Sequence, residues 1–256
     1  MTKPWRLTFS LLTVVALWAW GGEASAQIFR MQRTHHLWGR FAPGSWKLAR
    51  VVNQTLDANG QLVQNTTSET RTTLKEVTAQ AVTLHVEAAL EVFGKRFATT
   101  PQDLVEDYDG GASKTVPQDL GSQRVIIGGR NLTCRLQRAE TVVAGVRKVI
   151  ETWFSDDVAP FVLKRHTVAT DAAGNRLQET TVEVVALNVP RPVLQETKQT
   201  AELRVVSVHP KGRSVSQVWI APDVPGGVVA DSSEEFNEAD QLVRRTKFEL
   251  VDYTAK

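Results

Sequence analysis

A single cysteine, Cys134, stands in a chain of 256 residues, so no internal disulfide can form. Stability must come from a buried core and not from cross-links. Cys134 reads as a small buried hydrophobe, the alternatives being an intermolecular bridge or a reactive thiol. Helical periodicity is almost missing from the text, which sets helical bundles aside. Lys and Arg form no run, and the formal net charge of +2 is spread along the chain, so the footprint of a nucleic-acid binder is lacking. The chain carries no nucleophile elbow, no phosphate-cradling glycine loop and no histidine pair at zinc-helix spacing. With five His in all, the sequence names no catalytic residue, no metal site and no cofactor.

What the chain does have begins at its N-terminus. Lys3 and Arg6 precede an apolar stretch of roughly 14 residues from Leu7 to Trp20, and Ala24-Ser-Ala26 follows with the small side chains that a signal peptidase reads. Residues 1–26 are therefore expected to be a cleaved secretory signal, with cleavage before Gln27. The stretch falls short of the roughly 20 residues that a spanning helix needs, and no later window is apolar enough to span. No cysteine lies at the cleavage point to take a lipid anchor. The expected product is a soluble exported protein, periplasmic or extracellular, with one β-rich domain over 27–256 or two intimately packed halves over about 27–121 and 122–256.

Period-two alternation dominates this mature chain. Val82, Leu84, Val86, Ala88, Leu90 and Val92 alternate with Thr83, His85, Glu87 and Glu91, the pattern of a strand with one wet face. Thr180–Leu187, Leu203–Val208 and Leu242–Val251 repeat it, and such alternation belongs to antiparallel sheets. Asp57-Ala-Asn-Gly60 and Asp171-Ala-Ala-Gly174 each join two β-rich runs, with an Asp that can cap its own turn and a Gly that tolerates positive φ. The two segments agree at a spacing of 114, and a second self-match at a spacing of 66 lays Trp153-Phe-Ser-Asp-Asp-Val158 over Trp219-Ile-Ala-Pro-Asp-Val224. Pro101–Gly121 is the one long candidate loop. The fold class is all-β, mainly antiparallel, a curved sheet or half-open barrel built from repeated long hairpins.

Possible sites are weak. His35 and His36 are adjacent and point apart on an extended chain, so they do not suit one metal ion. His85, His166 and His209 read as solvated histidines. Glu106, Asp107 and Asp109 form an acidic loop without the remaining ligands of a calcium site, and the doublets Asp156-Asp157 and Glu234-Glu235 suit turn capping. Asn53, Asn65 and Asn131 match the glycosylation acceptor pattern, which matters only in a glycosylating host. Of the four tryptophans after the signal, Trp38, Trp46, Trp153 and Trp219, the last three are candidate ligand-binding residues, set against plain burial in the sheet core.

The corner Val218-Trp-Ile-Ala-Pro-Asp-Val-Pro-Gly-Gly-Val-Val229, the corner at Trp153–Val158 and Gly128-Gly-Arg-Asn-Leu-Thr-Cys134 resemble exported bacterial proteins of unknown function in the LolA/LolB-like lipoprotein-sorting superfamily. The resemblance covers roughly Ile126 to Tyr253. It implies an unclosed antiparallel half-barrel, covered by helices, with an apolar cavity for acyl chains; the helical text for such a lid is missing here. The expected function is an exported, non-enzymatic binding protein for an apolar ligand or a lipidated partner of the cell envelope. Alternatives are a structural or assembly protein of the envelope and, third, a hydrolase with dispersed residues such as His85 and a loop acid.

Overall fold

The computed structural model describes residues 31–92, 94–108 and 117–256. The expected signal peptide, its cleavage point, Asp109 and Gly110-Gly111 lie outside the described residues. Apart from one 3-10 turn at Arg33–His35, the regular structure is all strand. The strands are β1 (Trp46–Leu56), β2 (Leu62–Val77), β3 (Ala81–Val92), β4 (Lys95–Ala98), β5 (Gln102–Asp107), β6 (Gln118–Ile127), β7 (Arg130–Val143), β8 (Val146–Phe154), β9 (Val162–Thr170), β10 (Arg176–Val193), β11 (Glu196–His209), β12 (Gly212–Ile220), β13 (Val228–Asn237) and β14 (Leu242–Thr254).

All 14 strands belong to one antiparallel sheet, curved and not closed, in the order β4-β3-β2-β1-β14-β13-β12-β11-β10-β9-β8-β7-β6. The last strand pairs with the first, so both lie inside the sheet. β4 and β5 share β3 as their neighbour and form one edge; β6 forms the other. Curvature follows from the register. Bulges at Leu48/Ala49, Leu74/Glu76, Trp153/Phe154, Val184/Ala186 and Trp219/Ile220 each bend one strand against its partner.

The Asp-capped turns form as the residue types require. Asp57 Oδ1 accepts from the N–H groups of Asn59 and Gln61 at 2.9 and 2.8 Å, and Asp171 Oδ1 does the same for Ala173 and Asn175. Gly60 and Gly174 take φ of +75° and +86°. Asn237 builds a third such turn between β13 and β14, with Asp240 in the left-handed position. In the two Trp corners the Trp is the last residue but one of its strand, and the register shifts directly after it both times.

The structure corrects one expectation. Pro101–Gly121 is not a continuous loop, since β5 and the start of β6 lie within it. Both are edge strands; β6 is exposed along most of its length, and in β5 the half-buried face holds Leu104 and the charged Glu106, so neither spells an apolar alternation.

Candidate functional site

One face of the sheet, called inner here, carries the buried side chains. On neighbouring strands β12, β13, β14 and β1 it is built in four rows that follow the pairing. At one end, the base, Ile220 pairs with Val228 across the bulge and Ala49 with Leu250, and buried Val229 completes the apolar row. Val218, Asp231, Phe248 and Val51 come next. Then Ser216 bonds Ser233 (2.9 Å between hydroxyls) and Thr246 Oγ1 donates to Asn53 at 2.7 Å. Arg244 and Glu235 pair at 3.0 Å nearest the other end, the mouth. The face thus changes from apolar to ionic from base to mouth.

Asp231 is out of step with its row. Val218 and Phe248 flank it, its Oδ1 is buried without a hydrogen-bond partner among the described residues, and burial pushes its carboxyl up to about 6.

The base is closed by residues 31–45, a non-helical strap. Met31 packs on Phe154 and Val162 and donates its N–H to Tyr108 O, joining β8 and β9 to the end of β5. Leu37 O accepts from Gly226 N at 3.1 Å, and Trp38 and Phe41 fill a cluster with Leu74, Val82, Leu84 and Tyr108. Arg40 holds Pro222 O at 3.2 Å and Thr34 O at 3.0 Å.

A polar cluster sits under this strap. His36 Nδ1 accepts from the N–H groups of Trp38 and Gly39, so Nδ1 carries no proton, and burial brings the ring down to about 4. Its Nε2 lies 3.6 Å from Glu106. Lys47, 1% exposed, donates to Gly226 O at 3.3 Å and lies over the Trp38 ring; burial brings it down to about 7, opposed by the Glu106 charge. Glu106 in turn is raised by burial.

The centre of the inner face is filled: Leu163, Val182, Val184, Leu203, Ile220 and Cys134 belong to one cluster. Burial raises the Cys134 thiol, the behaviour of a packed residue. The end at β3 and β4 is less covered. Val86, Ala88, Leu90 and Val92 are half-buried, and Phe97, opposite Leu90, is 55% exposed. A groove of about 330 Å³ lies across β13, β14 and β1; most of its lining, including Gln54, Glu234, Arg245 and Lys247, comes from the opposite face and is polar.

The three candidate tryptophans stand on β1, β8 and β12. Strand counting puts Trp46 three strands from Trp219 and Trp219 four from Trp153, about 14 and 19 Å along the sheet. They are not brought together. Each is half-buried under a cation: Arg71 at 4.1 Å from the Trp46 ring, Lys164 at 5.1 Å from Trp153 and Arg191 at 3.9 Å from Trp219. His85 pairs with Asp103 at 2.6 Å and His166 with Glu179 at 2.9 Å, both on the wetter face. Asp156 pairs with Arg135, and Glu234 and Glu235 with Arg245 and Arg244. Among the described residues no group of three or more His, Cys, Asp or Glu could hold a metal ion. Sequence reasoning weighed His36 as a metal ligand and not as a buried acceptor, and it missed Lys47 and Asp231. For the last two the signal existed: Lys47 shares parity with Ala49 and Val51, and Asp231 with Val229, so each is a charge at an apolar position.

No family model and no curated protein matches the chain. Several solved structures resemble it, among them these three. A candidate lipoprotein from Parabacteroides distasonis has 12% identity and a TM-score of 0.35, with 83% of this chain and 96% of that one covered. A candidate exported protein with a YmcC-like fold from Bacteroides fragilis has 12% identity and a TM-score of 0.34, with 84% and 97% covered. A DUF1329 family protein from Desulfovibrio piger has 9% identity and a TM-score of 0.33, with 84% and 86% covered. At these scores the likeness carries no functional argument. Among the described residues no helix is long and apolar enough to cross a membrane.

Proposed function

We propose that this chain is an exported, non-enzymatic binding protein of the cell envelope whose curved sheet receives an apolar ligand or the lipid of a lipidated partner. The observation that carries the reading is the apolar strip at the β3–β4 end of the inner face, which no described residue covers beyond Val86. Val86, Ala88, Leu90 and Val92 run along one strand toward the mouth without a polar interruption, and Phe97 beside Leu90 is exposed. On β12, β13, β14 and β1 the same face gives way to hydroxyls and ion pairs toward the mouth. An aromatic left exposed beside a half-buried aliphatic column is surface that a ligand can remove from water, at about 25 cal/mol per Å².

The resemblance of the Trp corners to lipoprotein-sorting proteins supports the same reading. In place of the helical lid of that superfamily, this chain uses the 31–45 strap, which covers the base and leaves the β3–β4 end open. Acyl binding is accordingly assigned to the strip and not to a central cavity. Native mass spectrometry of gently purified protein, followed by lipid extraction, tests the assignment. A co-purified lipid, or uptake of a fluorescent fatty acid that Phe97→Asp abolishes, is expected. Clean, ligand-free protein that takes up no fatty acid sinks it.

A second reading, an assembly protein of the envelope, is favoured by β6, an edge strand exposed along most of its length that pairs with β7 on one side and with no other described strand. Crosslinking in cells would then trap one dominant protein partner.

A further inference from the structure

The inner face of β2 runs beside the strip as a column of hydroxyls. Thr66, Ser68, Thr70 and Thr72 stand opposite Val92, Leu90, Ala88 and Val86 of β3. On the other side Thr66 faces Asn53 and Ser68 faces Val51, both of β1. Threonine is a good strand former, so its presence in β2 needs no further reason. Ser68 does. It is 2% exposed, and its hydroxyl is buried without a hydrogen-bond partner among the described residues. The serines of β12 and β13 differ in this respect, since Ser216 and Ser233 meet each other. One row nearer the mouth, Thr246 Oγ1 donates to Asn53 Oδ1, which leaves the Asn53 Nδ2 hydrogens for another acceptor. Lys95, exposed and opposite Val92, ends that row at the outer edge of the strip. Lys95, Thr66 and Asn53 can all donate a hydrogen bond, and none of them is an acid.

From this juxtaposition we infer that the strip recognises an acyl group by its carboxyl-derived oxygen, held by Thr66, Asn53 and Ser68, with the chain lying toward the base. The inference rests on the strip as the binding site and adds the chemical class of its ligand: a chain that carries a carbonyl or carboxylate oxygen, not a bare hydrocarbon or an alkyl ether. The rows of Thr66 and Ser68 are about 7 Å apart, so an oxygen seated between them is within reach of both. A ligand without acceptor oxygens would take water from Thr66 and Asn53, replace no hydrogen bond, and leave Ser68 unpaired. The dimensions agree. Val86 to Val92 spans about 20 Å at the rise of a strand, and Val86 packs against the strap cluster of Trp38, Phe41 and Tyr108, which shuts the base end. The acyl chains of one bilayer leaflet fill about 15 Å. A single chain that enters from the mouth therefore fits the strip with its oxygen at the Thr66 row.

The test is displacement of a fluorescent fatty acid from the processed protein as cells make it. The competitors are lysophosphatidylcholine and its ether-linked analogue, used below their micelle concentrations. The two share headgroup and chain length and differ in one carbonyl. The ester should displace the probe at a concentration about tenfold lower, the effect of one hydrogen bond to a buried group. In Thr66→Val/Ser68→Ala, which keeps the strip apolar, that preference should shrink to about threefold or less. If the double variant lowers the melting temperature, Ser68→Ala alone decides, since it only removes an unpaired hydroxyl. Equal displacement by ester and ether overturns the inference, and so does a preference that the deciding variant keeps. Probe binding that Phe97→Asp abolishes, without an ester preference, leaves the strip standing and overturns only the oxygen recognition; no probe binding at all overturns both. A free fatty acid of the same chain length separates the two sources of the oxygen. Tighter binding than the ester assigns a free acid with Lys95 on its carboxylate, and weaker binding assigns an ester- or amide-linked acyl group.

Discussion

Replacing Asp231 by Asn should stabilise the protein, and only above mildly acidic pH. The carboxyl lies between Val218 and Phe248 on the inner face with one oxygen buried and unpartnered, and its pKa rises from the ordinary 3.8 to about 6. The folded protein therefore holds this proton more tightly than the unfolded chain does. Between about pH 3.8 and 6 stability falls as pH rises, and above that window the cost of the buried charge is present in full. At about 1.4 kcal/mol per pH unit the cost is about 3 kcal/mol. Asn keeps the shape and stays neutral, so Asp231→Asn recovers most of that figure at pH 8, less what its own unpaired amide costs, ~1 kcal/mol. A gain of about 2 kcal/mol in a chain of this size raises the melting temperature by roughly 4–8 °C. Thermal unfolding of both proteins at pH 8 and pH 3.5 checks the argument. The gain should be present at pH 8 and disappear at pH 3.5, where the native carboxyl is itself neutral. A variant no more stable than the parent at pH 8, or one whose advantage persists at pH 3.5, refutes the reasoning.

Lys47 has the opposite linkage, because burial lowers its pKa from 10.5 to about 7: across that interval the unfolded chain holds a proton that the folded protein lacks, and stability rises with pH. In Lys47→Met, denaturant unfolding between pH 7 and 10 should lose that rise, and an unchanged slope would show that Lys47 does not titrate low. Leu203 is fully buried in the largest cluster, so Leu203→Ala should lower unfolding free energy by about 2–5 kcal/mol; a loss under 1 kcal/mol would mean a loosely filled inner face. Gly212 opens β12 at φ +141°, where a Cβ would sit 1.9 Å from Phe236 O, so Gly212→Ala should cost upwards of about 2 kcal/mol in the same assay. Asp171→Ala removes the acceptor of two turn N–H groups and should speed hydrogen exchange at Ala173 and Asn175 while leaving β11 and β12 unchanged.

The strands and their turns were legible because their causes are local. Val82 to Val92 alternates because alternate side chains of β3 face opposite ways, and Asp57 and Asp171 cap the turns their spacing to glycine requires. The Asn237 turn escaped notice because Asp240 there takes the left-handed position that glycine takes in the other two. Edge strand β5 was hidden because its half-buried face carries Glu106 beside Leu104, and a charge at an inward position breaks the apolar alternation. The partners of the tryptophans were illegible for a different reason: Arg191 reaches Trp219 only through the pairing of β10, β11 and β12, and no spacing along the chain encodes that meeting.

The strap shows most clearly why composition alone misjudged part of the chain. Residues 31–45 contain His35, His36, Arg33 and Arg40, text that reads as a solvated entry segment, yet they cover the base of the sheet. Their polar groups can be buried because the fold supplies partners for them. Backbone N–H groups meet His36 Nδ1, and the Arg40 guanidinium meets the Pro222 carbonyl. His35 stacks on Phe161 at 4.2 Å, which places the ring among aromatics. Such a segment costs desolvation that a hydrophobic helix would not, and what it provides is register. The two N–H groups on His36 Nδ1 belong to the strap itself, whereas His36 Nε2 reaches Glu106 and the Trp38 ring reaches Lys47 only in this position of the strap. A slipped strap takes the Trp38 ring from the Lys47 ammonium and the His36 ring from Glu106, so the polar cluster favours this arrangement. At the β3–β4 end no such device is found among the described residues, and there the inner face carries half-buried Leu90 and Val92 beside exposed Phe97.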